Sequence, residues 1–142
     1  MKKTLMGVML LSILAVACTK SSSSTSSGTI LGKWNLSNVR TKTTVGTFLF
    51  ADETQAQKPG QYLDFKENGT VYSKSYDSSL NIYTYDTGTY KYSGDTLIDY
   101  TNNQIYKVQT LTGNNLTLNY QSSDSLGFGL PVKIELWVNL IR

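Results

Sequence analysis

The 142-residue chain has no histidine, one cysteine and two prolines. Imidazole is the usual general base and the commonest metal ligand, so His-based triads and zinc sites are excluded. With Cys18 alone, no intrachain disulfide can form, and the fold must stand on its hydrophobic core. The long apolar run, residues 5–16, falls short of the ~20 residues that span a bilayer as a helix. Calcium loops of the Asp-x-Asp-Gly kind are missing. The acidic residues are scattered: Asp95 and Asp99 can share one strand face, but neither has evident apolar surroundings. Paired-carboxylate hydrolysis therefore has little to rest on. The chain is expected to be no enzyme, with no cofactor and no metal.

What is present begins with the leader. Lys2 and Lys3 precede the apolar run, and small residues Ala15 and Ala17 lead into Cys18. This is the pattern of a secretory signal peptide, residues 1–17. Leu14-Ala15-Val16-Ala17-Cys18 resembles a lipobox, at which bacterial lipoproteins are cut before the cysteine and acylated on it, with palmitate among the chains added. The resemblance implies lipidation of Cys18 and stable membrane anchoring, since two or more acyl chains hold firmly. A plain secreted protein with one spare thiol is the alternative. Residues 18–29 are rich in serine and threonine and cannot bury enough apolar surface to order themselves, so they read as a tether. They carry no acidic cluster, which favours the periplasmic side of an outer membrane over surface display. Two of the thirteen basic residues leave with the leader and none of the ten acidic ones do, so the mature charge is only +1. That balance gives no nucleic-acid face. Residues 30–142 are the size of one domain.

Within that domain Tyr, Thr, Val and Ile are frequent, with Gly, Asn, Asp and Ser at short intervals, and no helical stripe lasts three turns. Strands are expected over 32–39, 46–51, 61–66, 70–76, 81–85, 88–92, 96–100, 105–111, 116–121 and 132–141. Residues 51–60, polar and holding Pro59, read as a loop or one helical turn. The tyrosines change parity across Asp86-Thr87-Gly88, which implies a turn, bulge or kink there. Residues 122–131 read as a longer loop. Eight to ten short antiparallel strands joined by hairpin turns point to an all-β fold. The expected form is an up-and-down barrel of about eight strands, whose closure removes the sheet edges. Short strands leave room for only a small cavity. Its inward residues are expected to include Leu63, Phe65, Leu116, Leu118, Ile134, Leu136 and Val138.

Several segments carry a family resemblance. Leu31-Gly32-Lys33-Trp34-Asn35-Leu36 opens the domain. Leu63-Asp64-Phe65-Lys66-Glu67-Asn68-Gly69-Thr70-Val71, Gly88-Thr89-Tyr90, Gly94-Asp95-Thr96-Leu97 and Asn115-Leu116-Thr117-Leu118 follow in order. Together they resemble the bacterial lipocalin-like lipoprotein domains. Gly32-x-Trp34 is similar to the Gly-x-Trp signature of lipocalins, in which the Trp seals one barrel end. The resemblance implies a basic residue packed on Trp34, with Arg142 the nearest candidate and Lys133 the second. It also implies a small apolar or amphipathic ligand.

Two features are open to more than one reading. Ten tyrosines, most of them in mid-chain, suit cross-strand pairing or a platform for a sugar or other flat ligand; Tyr83 and Tyr85 are the candidates there. Leu126-Gly127-Phe128-Gly129-Leu130-Pro131 places apolar residues in an expected loop. Phe128 and Leu130 either plug a barrel mouth or contact a ligand or partner. The expectation is a lipid-anchored monomer that binds a small hydrophobic ligand. The alternative is a solid barrel that docks a protein or glycan.

Overall fold

A computed structural model describes residues 28–126 and 129–142. Cys18, most of the tether and Phe128 lie outside them. Nine strands run in chain order: β1 (Gly32–Val45), β2 (Phe48–Ala56), β3 (Tyr62–Phe65), β4 (Thr70–Asp77), β5 (Ile82–Ser93), β6 (Thr96–Asp99), β7 (Gln104–Leu111), β8 (Asn115–Leu126) and β9 (Leu130–Ile141). Every pairing is antiparallel, and no helix occurs among the described residues. Each strand pairs with the next from β3 to β9, and β9 then pairs with β1 to close the ring. The expected all-β, lipocalin-like, up-and-down barrel is the observed fold, with eight strands in the ring.

The ninth strand, β2, follows from how β1 uses its edges. One edge of β1 pairs with β9 along nearly its whole length. The other is divided: Gly32 to Asn35 pair with β3, and Asn38 to Val45 pair with β2. The change of partner coincides with a bulge between Leu36 and Asn38. There Leu36 N–H donates to Gln61 O, and Ser37 O accepts from Gln57 N–H, each at 3.0 Å. An extra residue bends a strand and re-aims its backbone groups, which suits a handover between two neighbours.

Gln61 holds this junction together. It is buried, its Oε1 accepts from Tyr76 N–H at 2.9 Å, and its Nε2 donates to Gln57 Oε1 and Lys58 O at 3.1 and 3.3 Å. Truncation leaves the half-buried Tyr76 N–H and Lys58 O without this partner, which costs roughly 1–3 kcal/mol. Gln61→Ala is therefore expected to lower the urea midpoint by that equivalent without changing the slope. An unchanged midpoint would show that water replaces the side chain.

Three sequence expectations need correction. Residues 51–56 are strand, not loop: Thr54, Gln55 and Ala56 pair with Arg40, Val39 and Asn38. Cross-strand partners override the weak β-propensity of this polar stretch. Arg40 also clamps Asp52 through both carboxylate oxygens, at 2.7 and 2.6 Å, and this donated pair holds the Asp52 carboxyl below the usual range. Second, Asp86-Thr87-Gly88 is no turn. Strands β4 and β5 keep one register from Thr70–Thr89 to Asp77–Ile82. The tyrosines change parity because 83 and 85 point outward while 90 and 92 point inward. Third, residues 122–131 are mostly paired strand, with register kept as far as Leu126–Leu130.

The core fills the end of the barrel where the chain enters and leaves. Trp34 and Leu116 are fully buried there, with Ile30, Phe65, Tyr90, Leu97, Leu111 and Leu140 around them. Trp34 Nε1 donates to Ile30 O at 2.7 Å, and the Arg142 guanidinium lies 3.9 Å from the indole centroid. Arg142 also donates to the carbonyls of Thr29 and Leu31. Gly32 stands beside Arg142 with φ +100°, a backbone conformation that residues with a Cβ rarely adopt. Lys133 is elsewhere, paired with Glu135 at 3.0 Å.

Candidate functional site

The site follows from the register. Residues opposite each other in an antiparallel pair share a face. Leu63, Ser73 and Asp86 form one inward row across β3, β4 and β5. Phe65, Val71 and Gly88 form the next. Tyr90 lies opposite Asp99, and Leu97 opposite Tyr106. Leu118 and Val138 face each other across β8 and β9. These residues, with Thr101 and Asn102 of the β6–β7 turn, surround a cavity of about 220 Å³. Two wider depressions, one beside Ile105 and Lys107 and one beside Leu31 and Glu67, are open surface grooves and bury little of a ligand.

The cavity is graded. Its floor is Phe65, Tyr90, Leu97, Leu118 and Val138, where Phe65 and Tyr90 meet edge to face at 4.9 Å between centroids. Its mouth carries Ser73, Asp86, Asp99, Thr101 and Asn102. Asp99 is fixed by the turn beside it. Its Oδ1 accepts from Thr101 N–H and Asn102 N–H at 2.9 and 3.2 Å, and its Oδ2 accepts from Asn102 Nδ2 at 2.8 Å. Asp86 Oδ1 accepts from Thr87 N–H at 2.7 Å. Tyr106 is half-buried and donates to Gln104 Oε1 at 2.5 Å. Burial, and then the charges of Asp99 and Tyr120, push its phenol above the ordinary range.

Gly88 is what brings the turn over the mouth. A Cβ there would lie 2.7 Å from Thr101 Oγ1 and 3.4 Å from Val71 Cγ1. Thr101 Oγ1 accepts from Thr89 N–H, and Tyr100 N–H donates to Thr89 O, each at 3.0 Å. The missing side chain lets the turn lie against β5.

The sequence candidates fall elsewhere. Tyr83 faces outward, tilted against Tyr76 at 5.2 Å, and donates to Pro59 O at 2.6 Å. Tyr85 is exposed on the same outer face, 5.5 Å from Lys74 Nζ. Leu130 is exposed at the start of β9, away from the cavity lining. Ile134, expected to point inward, is partly exposed because β1, β8 and β9 run past the ring. Asp95 and Asp99 divide: Asp95 lies outside, 3.6 Å from Lys107, while Asp99 lines the cavity. Sequence reading missed Ser73, Asp86, Gly88, Thr101 and Tyr106. The signal that could have found them was the inward parity of β5, set by Tyr90.

A lipocalin-like domain family matches residues 30–118, from the segment before β1 into β8. No curated protein matches the sequence. The matched span is well over half of the chain and contains most of the cavity lining. Its strands form the barrel described above, and the chain belongs to the lipocalin-like domain family.

Proposed function

We propose that this protein is a non-enzymatic, lipid-anchored envelope binder that holds a small amphipathic molecule inside its barrel. The observation that carries this reading is the cavity of about 220 Å³, apolar at its floor and polar at its mouth. Lipocalin-like barrels in general suit small-ligand binding. The volume is below the ~300–1,000 Å³ of drug-sized sites but above the ~150 Å³ that admits benzene. A single ring with a short substituent is the right scale.

The anchor is proposed on Cys18, through the lipobox-like leader and the serine-rich tether. The described chain supports that arrangement. Gly28 lies against the β7–β8 turn, so close to Thr112 that a Cβ would meet its carbonyl oxygen at 2.4 Å. Gly28 and Thr29 lie at the sealed end, beside Trp34 and Arg142, so an anchor joined to the chain before them suits a mouth at the other end, where the β6–β7 turn lies. An outer-membrane position facing the periplasm fits the absence of an acidic cluster in the tether, residues 18–29.

Toluene tests the binding reading. It is expected to shift the methyl resonances of Leu63, Val71, Leu118 and Val138 in the folded chain. Val71→Phe, which fills the space beside Gly88, should abolish the shifts while the barrel still melts cooperatively. Toluene shifts that persist in that variant would place binding elsewhere and end the proposal.

A second reading has its own observation. Lysines lie over tyrosines on the outer face: Lys33 on Tyr62 at 4.0 Å, Lys58 on Tyr76 at 3.5 Å, and Lys74 on Tyr83 at 4.3 Å. This face favours docking of a glycan, with rings stacked on tyrosine and acidic groups met by lysine.

A further inference from the structure

We infer that the molecule held in the barrel carries a positive charge: a small primary or quaternary amine on a compact apolar body. The inference rests on the proposed binding role of the cavity and adds the class of ligand. Of the residues lining that space, only Asp86 and Asp99 are charged side chains, and both are acidic. No lysine or arginine among the described residues lines that space or forms an ion pair with either. Among the described residues the ion pairs are Arg40–Asp52, Lys66–Asp64, Lys107–Asp95 and Lys133–Glu135, all elsewhere.

The hydrogen bonds these two carboxylates receive come from neutral amides. Neutral donors orient a carboxylate but leave its charge uncancelled. Clefts with low-dielectric walls and charge of one sign concentrate ions of the other sign. Here that favours cations and disfavours carboxylates and phosphates.

The walls agree with the mouth. Phe65, Tyr90 and Tyr106 present aromatic rings to the same space. Aromatic side chains on the floor suit the apolar body of such a ligand. A ligand with a ring or short alkyl body can lie on the floor among Phe65, Leu97 and Leu118. Its ammonium group then reaches Asp86 and Asp99 at the rim. A neutral alcohol of equal shape fills the floor equally well but leaves both charges unmatched.

Three probes with one body and different heads separate the possibilities: 2-phenylethylamine, 2-phenylethanol and phenylacetate. Each is titrated against the full chain, following the cavity methyls by NMR and affinity by calorimetry. The amine is expected to bind at least tenfold more tightly than the alcohol, and phenylacetate not at all. Asp86→Asn should bring the affinity of the amine close to that of the alcohol in the same variant. It is the clean variant, because Asp99 also organises the β6–β7 turn; an unaltered melting temperature certifies it. Equal binding of amine and alcohol, or tighter binding of phenylacetate, at the cavity methyls would overturn the cationic assignment and leave the binding role standing. An amine preference untouched by both Asp86→Asn and Asp99→Asn would overturn the role of these carboxylates. No cavity shifts from any of the probes would overturn the binding role together with its ligand class.

Discussion

Trp34→Ala should destabilise the barrel by about 3–5 kcal/mol, the usual cost of emptying a buried aromatic site. For a domain with a net stability of roughly 5–15 kcal/mol that is a large fraction. Trp34 has no exposed surface, and it is covered by the residues it organises. Removing the indole leaves Ile30 O without its 2.7 Å donor and takes away the ring beneath Arg142. Equilibrium urea unfolding measures the change. Arg142→Ala serves as the comparison: it removes only the cation–π contact, about 0.5–1 kcal/mol at an exposed site, and two carbonyl contacts. If both variants lose the same amount, Arg142 rather than the indole seals this end.

Phe65→Ala should cost a similar ~3–5 kcal/mol, with a different functional consequence. Phe65 is almost wholly buried and forms part of the cavity floor, edge-on to Tyr90. That aromatic pair contributes roughly 0.5–1.5 kcal/mol beyond area burial. Its loss destabilises the barrel and deepens the cavity at once. Naphthalene should then shift the Leu118 and Val138 methyls at lower concentration in the variant than in the parent. Stability lost without tighter naphthalene binding would mean that neighbouring side chains collapse into the vacated volume.

The sealed end was much more legible in the sequence than the mouth. Gly32, Trp34 and the clean alternation of residues 132–141 carry strong local signals: a positive-φ glycine, a large aromatic and a period of two. The mouth is set by parity counted from distant anchors. Asp86 faces inward because Tyr90, four residues on, is core. Read alone, Asp86-Thr87-Gly88 looks like a turn, since those residue types favour turns. Only the unbroken pairing with β4 keeps the segment extended. Likewise β2 is polar and locally unpersuasive, and it is a strand because β1 offers it an edge. Tyr83 and Tyr85 drew notice by their aromatic character, whereas the cavity is selected by the face a residue occupies.

The seam between β1 and β9 has a consequence for the order of assembly. It joins the first and last strands of the domain and is stitched by Asn139 Nδ2 donating to Asn38 Oδ1 at 2.8 Å, while Asn139 Oδ1 accepts from Thr117 Oγ1 of β8 at 3.0 Å. Pairings so distant along the chain form slowly, because loop-closure entropy is spent before the contact returns anything. Chains are made from the N-terminus. The indole at residue 34 therefore lacks its Arg142 cover until β9 and the residue after it have been made. Before β9 pairs, β1 and β8 each lack that neighbour, and their unpaired edges are then open to mispairing with another copy.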